Sequence, residues 1–195
     1  MAVFQMTERG LEEVEDPSRF FLGQAEGPRQ PGSVYVPVLE GSRAILVELQ
    51  ALVSPTGGYG VPQRRCTGMD LNRVLLMLAV MERHLEVHIG SADVYLSLAG
   101  GLDVRERGTD LAVVAAVLSS LRSRPLSGEM AVVGEVGLTG EIRPVRRLSE
   151  RVAEAAKLGV RRVLVPAGTR IAAQDEVELV PVERVGDAVE QLAFL

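Results

Sequence analysis

Apolar and polar positions change period several times along this chain, and each change marks an element. Val34-Tyr-Val-Pro-Val38 and Ala44 to Val53 are β-rich runs separated by the turn Leu39 to Arg43, which predicts a hairpin. Leu71, Val74, Leu75, Leu78 and Met81 recur at helical spacing, so a helix reaching about His84 should bury that face. Thr67-Gly-Met-Asp70 has capping-box spacing for its start, and Asp70 is an equally good cap. Leu85 to Ile89 and Val94 to Ala99 read as strands. From Thr109 to about Leu121 the chain is apolar on nearly every side, the pattern of a helix held between other layers. Arg122-Ser-Arg-Pro125 stops it, because proline cannot continue a helix and restricts the residue before it.

The second half alternates strands and helices. Met130 to Val133 is an apolar run that feeds Gly134-Glu-Val-Gly-Leu-Thr-Gly140. Glycine permits positive φ and close backbone approach, so these three glycines read as a tight reversal between two short extended pieces. A helix from Arg146 to Leu158 ends at Gly159, Arg161 to Val165 is a buried strand, a further strand lies near Val177 to Val182, and a last helix starts near Val185. The order of elements predicts an α/β or α+β fold, with helices packed on a mixed sheet. It also places the loop before Thr109 beside the loop before the Arg146 helix.

The N-terminal stretch follows other rules. Ala2 to Met6 reads as a short strand, Thr7 to Glu15 is acidic and polar, and Asp16-Pro17-Ser18 is a turn or helix start before Phe20-Phe21-Leu22. Gly23 to Gly32 has linker composition. The chain therefore divides into an arm and linker, residues 1–32, and a domain, residues 33–195. Either Phe20 and Phe21 dock on that domain or they belong to a neighbouring one; the second is favoured.

Composition narrows the chemistry. At 195 residues, with 47% hydrophobic and 24% charged residues, the chain suits one soluble domain with a real core. No apolar run reaches the roughly 18 residues of a membrane span, and the start lacks the pattern of a secretory signal, so a cytoplasmic location without membrane partners is expected. A single cysteine, Cys66, excludes an internal disulfide and a multi-cysteine zinc site. Its neighbour Arg65 favours a lowered thiol pKa, yet no partner for a nucleophile lies nearby, so a structural role is expected. Lys157 is the only lysine. With a formal net charge of -5, any nucleic-acid contact must come from a local arginine patch.

Several separated motifs, in order, resemble a known family. Arg124-Pro125, Gly134-Glu-Val-Gly-Leu-Thr-Gly-Glu-Ile-Arg-Pro-Val145, Ala155-Ala-Lys-Leu-Gly159 and Val165-Pro166 resemble the proteolytic domain of Lon proteases. The Lon-like C-terminal domain of the bacterial RadA (Sms) family is closer still, through Thr67-Gly-Met-Asp-Leu-Asn-Arg73, Ala99-Gly-Gly101 and Asp110-Leu-Ala112. Val3 to Leu11 looks like that family's exit from its ATPase core, so residues 1–32 would be the arm of a missing RecA-like motor and residues 33–195 the Lon-like domain.

The resemblance implies a Ser-Lys dyad, in which a desolvated lysine activates a serine hydroxyl. The matching positions here are Gly108 and Ser149, so both halves of the dyad are absent and no catalytic residue is expected. Thr109 is the nearest hydroxyl, but a threonine before Asp110 at a helix start is read as an N-cap. Lys157 lies about two turns from Ser149, at the C-terminal end of its helix, where it suits the helix dipole. His84-Leu-Glu-Val-His88 lacks the glutamate spacing of a zinc-binding helix and reads as exposed helix-end histidines, and no Walker loop is present. No metal site or cofactor is therefore expected in this chain; the resemblance assigns ATP, magnesium and zinc to the missing domains.

Binding remains. The arginines fall into three groups: Arg64-Arg65 with Arg73; Arg143, Arg146, Arg147 and Arg151; and Arg161-Arg162. They serve either as solvated or ion-paired surface, with Glu141, Glu150 and Glu154 as partners, or as a groove that tracks phosphates through bidentate contacts. No aromatics are interleaved with them in sequence, so contacts to single- or double-stranded DNA should go to the backbone and ignore sequence. Arg64, Arg65 and Arg73, with Arg146 and Arg147, are the candidates; Arg64 and Arg65, expected on a loop before a helix, come first, and a subunit interface is the alternative for Arg146 and Arg147. The resemblance adds a hexameric ring, a motor that drives branch migration, a DNA-dependent ATPase activity of the whole protein, and a RecA-type recombinase as a further partner. The alternative is a residual peptidase acting through Thr109.

Overall fold

The computed structural model describes residues 4–7, 10–14, 18, 22, 29–56, 60–169, 171 and 176–194. The predicted hairpin is its spine: β3 (Ser33–Glu40) and β4 (Arg43–Pro55) pair antiparallel across a tight turn at Gly41-Ser42. Around it grows a seven-stranded mixed sheet, with β5 (Arg64–Thr67), β6 (Ala92–Leu98), β7 (Met130–Val132), β10 (Arg162–Pro166) and β11 (Glu178–Val182). The spatial order is β11-β10-β7-β3-β4-β6-β5, antiparallel only where β4 meets β3 and β6. Two short antiparallel pairs stand apart. One is β1 (Phe4–Thr7) with β2 (Gly10–Glu13), the other β8 (Glu135–Val136) with β9 (Ile142–Arg143).

Four helices are described: α1 (Leu71–Leu85), α2 (Asp110–Leu121), α3 (Leu148–Lys157) and α4 (Val185–Gln191). On one face of the sheet α2 lies across β3 and β4, with α1 and α4 packed on it. Ten consecutive α2 residues, Asp110 to Ser119, are buried, as an all-round apolar pattern requires. Alternation along the strands sends Val34, Val36, Val38, Ile45, Val47 and Leu49 into this core. The intervening Tyr35 and Leu46, with Ala131, Val133, Val163 and Val165, face the other side, where α3 contributes Leu148, Val152 and Ala155.

Several expectations need correction. α1 buries Val74, Met77, Leu78, Val80 and Met81, whereas Leu71 and Leu75 are exposed; the buried stripe sits a few residues round from the one read off the spacing. Leu85 to Ile89 is not a strand. α1 runs through Leu85, Glu86 takes a left-handed conformation, and the following carbonyls are bonded by Arg64. Arg64 and Arg65 lie on β5, the edge strand, rather than on a loop, because β5 pairs in parallel with β6. α3 begins at Leu148 rather than Arg146, since Arg147 adopts φ 55°. Gly10 to Glu13, read as polar chain, is a strand paired with β1. Asp70, not Thr67, caps α1, accepting the Asn72 N–H at 2.9 Å. Phe20 and Phe21 lie outside the described residues. Their neighbour Ser18 is fully buried, donating to Glu154 on α3 at 2.6 Å and accepting the Leu46 N–H at 3.1 Å.

Candidate functional site

The two loops flagged by the order of elements do meet, at the N-terminal end of α2. The glycine-rich reversal fixes one wall. Gly140 turns at φ 82° against the His84 ring, whose Nε2 lies 3.0 Å from the Leu138 carbonyl. His84 is thus half-buried and brackets the hairpin, a correction to its reading as an exposed helix end; His88 is exposed. The Gly108 carbonyl accepts the Gly134 N–H at 3.0 Å, and the Gly134 carbonyl accepts the Leu111 N–H at 3.1 Å. Loop, hairpin and helix start are therefore one hydrogen-bonded unit.

Two buried ion pairs hold this unit to its surroundings. Asp110, 1% exposed, accepts Arg73 Nε at 2.9 Å and the Val136 N–H at 3.0 Å, while Arg73 Nη2 also donates to the Val136 carbonyl at 2.7 Å. Burial pushes the Asp110 carboxyl up, and Arg73 beside it pulls it back. The second pair fills the space between the loops. Arg151, also 1% exposed, donates through Nη1 to the Pro37 carbonyl and to Glu106 Oε1, both at 2.7 Å, and through Nε to the Arg146 carbonyl at 2.9 Å. Its Nη2 bonds Glu106 Oε2, and Glu106 Oε1 also accepts the Leu39 N–H at 2.8 Å. One guanidinium thus ties α3, β3, the loop before α2 and the loop before α3 together.

At the positions matching the dyad, Gly108 is buried and Ser149 is exposed on the first turn of α3. A β-carbon on Gly108 would meet Arg151 Nη1 at 3.3 Å, so the group facing it is a guanidinium already committed to carboxylate and carbonyl partners. Thr109 stands at the N-cap position but makes no capping bond with its side chain, contrary to the sequence reading; its hydroxyl donates to the Glu106 carbonyl at 3.0 Å. Lys157 pairs with Glu154 at 3.2 Å at the far end of α3. A cavity of about 340 Å³ opens beside α2's start, lined by Asp70, Arg73, Arg107 and Thr109 among others. Among the described residues no cluster of three or more His, Cys, Asp or Glu is placed to hold a metal ion. No described helix is long and apolar enough to cross a membrane.

The arginine groups are divided by the fold. Arg64 turns back to donate to the carbonyls of Gln63, Ile89, Gly90 and Ala92, holding the edge strand to the loop after α1. Arg73 serves Asp110 on the helical face of the sheet, while Arg65 projects on the opposite face. Arg143 pairs with Glu141 and Glu135, and Arg147 with Glu150 and the Ser42 carbonyl. Arg161 pairs with Glu176, and Arg162 with Glu178. Among the described residues the guanidiniums of Arg65 and Arg146 have no hydrogen bond or ion pair. Cys66 packs against the core, and burial pushes its thiol up, not down. Sequence reasoning passed over Glu106; its signal would have been an acid two residues before Gly108, but only Arg151's burial reveals its role.

A family model described as subunit ChlI of magnesium chelatase matches residues 77–169, from the second half of α1 to just past β10. Proteins named DNA repair protein RadA match nearly the whole chain. The Synechocystis protein is 44% identical over 189 residues, 97% of this chain and 37% of its own length. The Pseudomonas aeruginosa protein is 45% identical over 193 residues, 98% and 42%. The Escherichia coli protein is 43% identical over 190 residues, 97% and 41%. The chain spans about two-fifths of the length of these curated relatives, and across nearly all of its own length it is homologous to that part of the RadA proteins.

Proposed function

We propose that this chain is the Lon-like platform of a RadA-type DNA repair and recombination protein: it assembles a ring, binds DNA through the phosphate backbone, and does not hydrolyse peptide bonds. The observation that carries this reading is the Arg151–Glu106 pair. It stands where the resemblance would put a nucleophile and its base, next to a glycine and two residues from an exposed serine. A hydrolytic site needs a hydroxyl whose proton has somewhere to go. Thr109 gives its proton to a backbone carbonyl, and the single lysine is engaged elsewhere.

The guanidiniums left over support the DNA reading. Arg65 and Arg146 are unspent, and Arg147 is half-exposed beside Arg146. Arg64 and Arg73 direct their donors into the protein: Arg64 holds the strand that carries Arg65, and Arg73 holds α1 to the start of α2. The parent protein, on this reading, carries the ATPase motor that drives branch migration, with ATP, magnesium and zinc bound in that part; the platform works as a hexameric ring in the cytoplasm and meets a RecA-type recombinase there.

Mobility shift of labelled single- and double-stranded DNA across a salt series tests the reading. Retention should fall with rising salt, and the paired change Arg146→Ala with Arg147→Ala should flatten the salt slope by about one to two counterions. Light scattering coupled to size exclusion reads the assembly. Turnover of casein or a fluorogenic peptide that disappears with Thr109→Ala would overturn the non-catalytic assignment.

A further inference from the structure

Among the described residues, the second face of the sheet is only half covered. α3 packs over β7, β10 and the adjoining ends of β3 and β4, leaving the rest of β3 and β4, with β6 and β5, as the floor of an open groove of about 1010 Å³. Strand register sets out its floor as rows. In one row Arg65 on β5 pairs with Tyr95 on β6, which pairs with Leu52 on β4. In the next, Thr67, Ser97, Gln50 and Ser33 run from β5 to β3. In the third, Tyr35 lies opposite Glu48 and under the Arg29 guanidinium, 3.4 Å from the ring centroid. Neighbouring strands are about 4.8 Å apart and alternate residues about 6.8 Å, so the Tyr95 and Tyr35 rows are about 14 Å apart along the strands.

Resting on the DNA-binding reading above, we infer that this open face is a stacking platform for single-stranded DNA, with Tyr95 receiving a base, Arg65 the adjacent phosphate, and the Arg29–Tyr35 stack a second base. Three features favour a nucleic-acid strand over a protein. The row between the aromatic rows offers the exposed Thr67 and Ser97 hydroxyls and the Gln50 amide oxygen, while Ser33 and Gln50 Nε2 are bonded to Glu48; the exposed groups suit base edges and would leave an apolar partner with unpaired groups. Arg65 is a guanidinium without a partner among the described residues, at one end of an aromatic row, which an anion between consecutive bases would use. Arg29 is stacked flat and held by the Gly128 and Met130 carbonyls, so a planar guanidinium is fixed in place, and bases stack on such planes as they do on aromatic rings. The absence of aromatics among the arginines in sequence is therefore misleading: Tyr95 and Arg65 are thirty residues apart in the chain and side by side on the sheet.

The test uses the 195-residue chain with fluorescein-labelled oligo(dT) and a duplex of equal length, read by anisotropy. The chain has no tryptophan, so tyrosine emission gives an independent signal. Single-stranded DNA should quench that emission. Tyr95→Ala should weaken oligo(dT) binding about tenfold, with Tyr95→Phe close to the parent, since stacking needs the ring and not the hydroxyl. Arg65→Ala should weaken it and reduce the salt slope by about one. Duplex affinity should be unmoved by Tyr95→Ala. Equal oligo(dT) affinity for the parent chain and Tyr95→Ala, without quenching, overturns the platform. If DNA is held but only Arg146→Ala and Arg147→Ala release it, the platform falls and the backbone reading stands; if no DNA is held at all, both fall. Self-association abolished by Tyr95→Ala, with no response to DNA, would assign the face to a second copy and overturn the proposal.

Discussion

The covered and the bare halves of the sheet's second face use arginine in opposite ways. On α3, Arg151 is withdrawn from water and bonded to Glu106 and to two backbone carbonyls, those of Pro37 and Arg146. Over β5, Arg65 lies in an open groove with none of its side-chain donors engaged among the described residues. A buried guanidinium is retained only when every cost of desolvation is met by bonds, so Arg151 is a bolt that fixes loops. A free guanidinium on a rigid strand costs the fold little and is available to an external anion. The loops before α2 and α3 are thus pinned together by a buried ion pair, whereas the half of the face left open among the described residues presents an unpaired guanidinium, where the proposal places recognition.

Removing the bolt should have the largest effect. Arg151→Ala leaves Glu106 without its counter-charge and should cost about 3–5 kcal/mol of stability, seen as a lower midpoint in chemical denaturation. Combining it with Glu106→Leu should recover part of that loss. Gly108→Ser comes next. Its β-carbon would press on a guanidinium that cannot swing away, at 3.3 Å, and overpacking of this kind costs about 1–3 kcal/mol. The double change Gly108→Ser with Ser149→Lys should yield no peptide turnover, because the group facing position 108 is the committed Arg151 guanidinium and position 149 is exposed. On the bare half, Arg65→Ala should change stability by no more than about 0.5 kcal/mol. A much larger loss would mean that the arginine is structural and the comparison false.

The smallest effect is a titration. The Thr139 hydroxyl, the backbone N–H and Arg143 hold the Glu141 carboxyl down to about 2. A depressed carboxylate contributes stability that is complete above its ordinary value of 4.5 and lost as pH falls through about 2. The β8–β9 hairpin should therefore keep its amide chemical shifts from neutral pH to about 3. Thr139→Val should move the Glu141 midpoint upward, and an unshifted midpoint would remove the hydroxyl's assigned role.

Much of the fold was legible because its signals are local. The β3–β4 hairpin, the all-round apolar α2 and the glycine-rich reversal each follow from a short stretch of residues, and each is found where expected. What local pattern could not supply is which face an element presents. Leu71 and Leu75 keep helical spacing with Val74 and Leu78 yet stay exposed, because α2 and the hairpin approach α1 from the Val74–Met81 side. The edge position of β5 depends on a parallel partner about thirty residues later, which no window around Arg64 contains. The candidate site divides likewise. That Gly108 and Ser149 carry no hydroxyl–amine pair is a matter of residue type, whereas Arg151's partner Glu106 is forty-five residues away and its burial is a property of the assembled layers.

Amide and arginine side-chain NMR spectra during titration with single-stranded DNA test the central comparison most directly. The account predicts shift changes at Tyr95, Ser97 and the Arg65 Nε–H, with the Arg151 Nε–H unmoved. Changes centred on Gly108, Thr109 and Arg151, with the bare face silent, would contradict it.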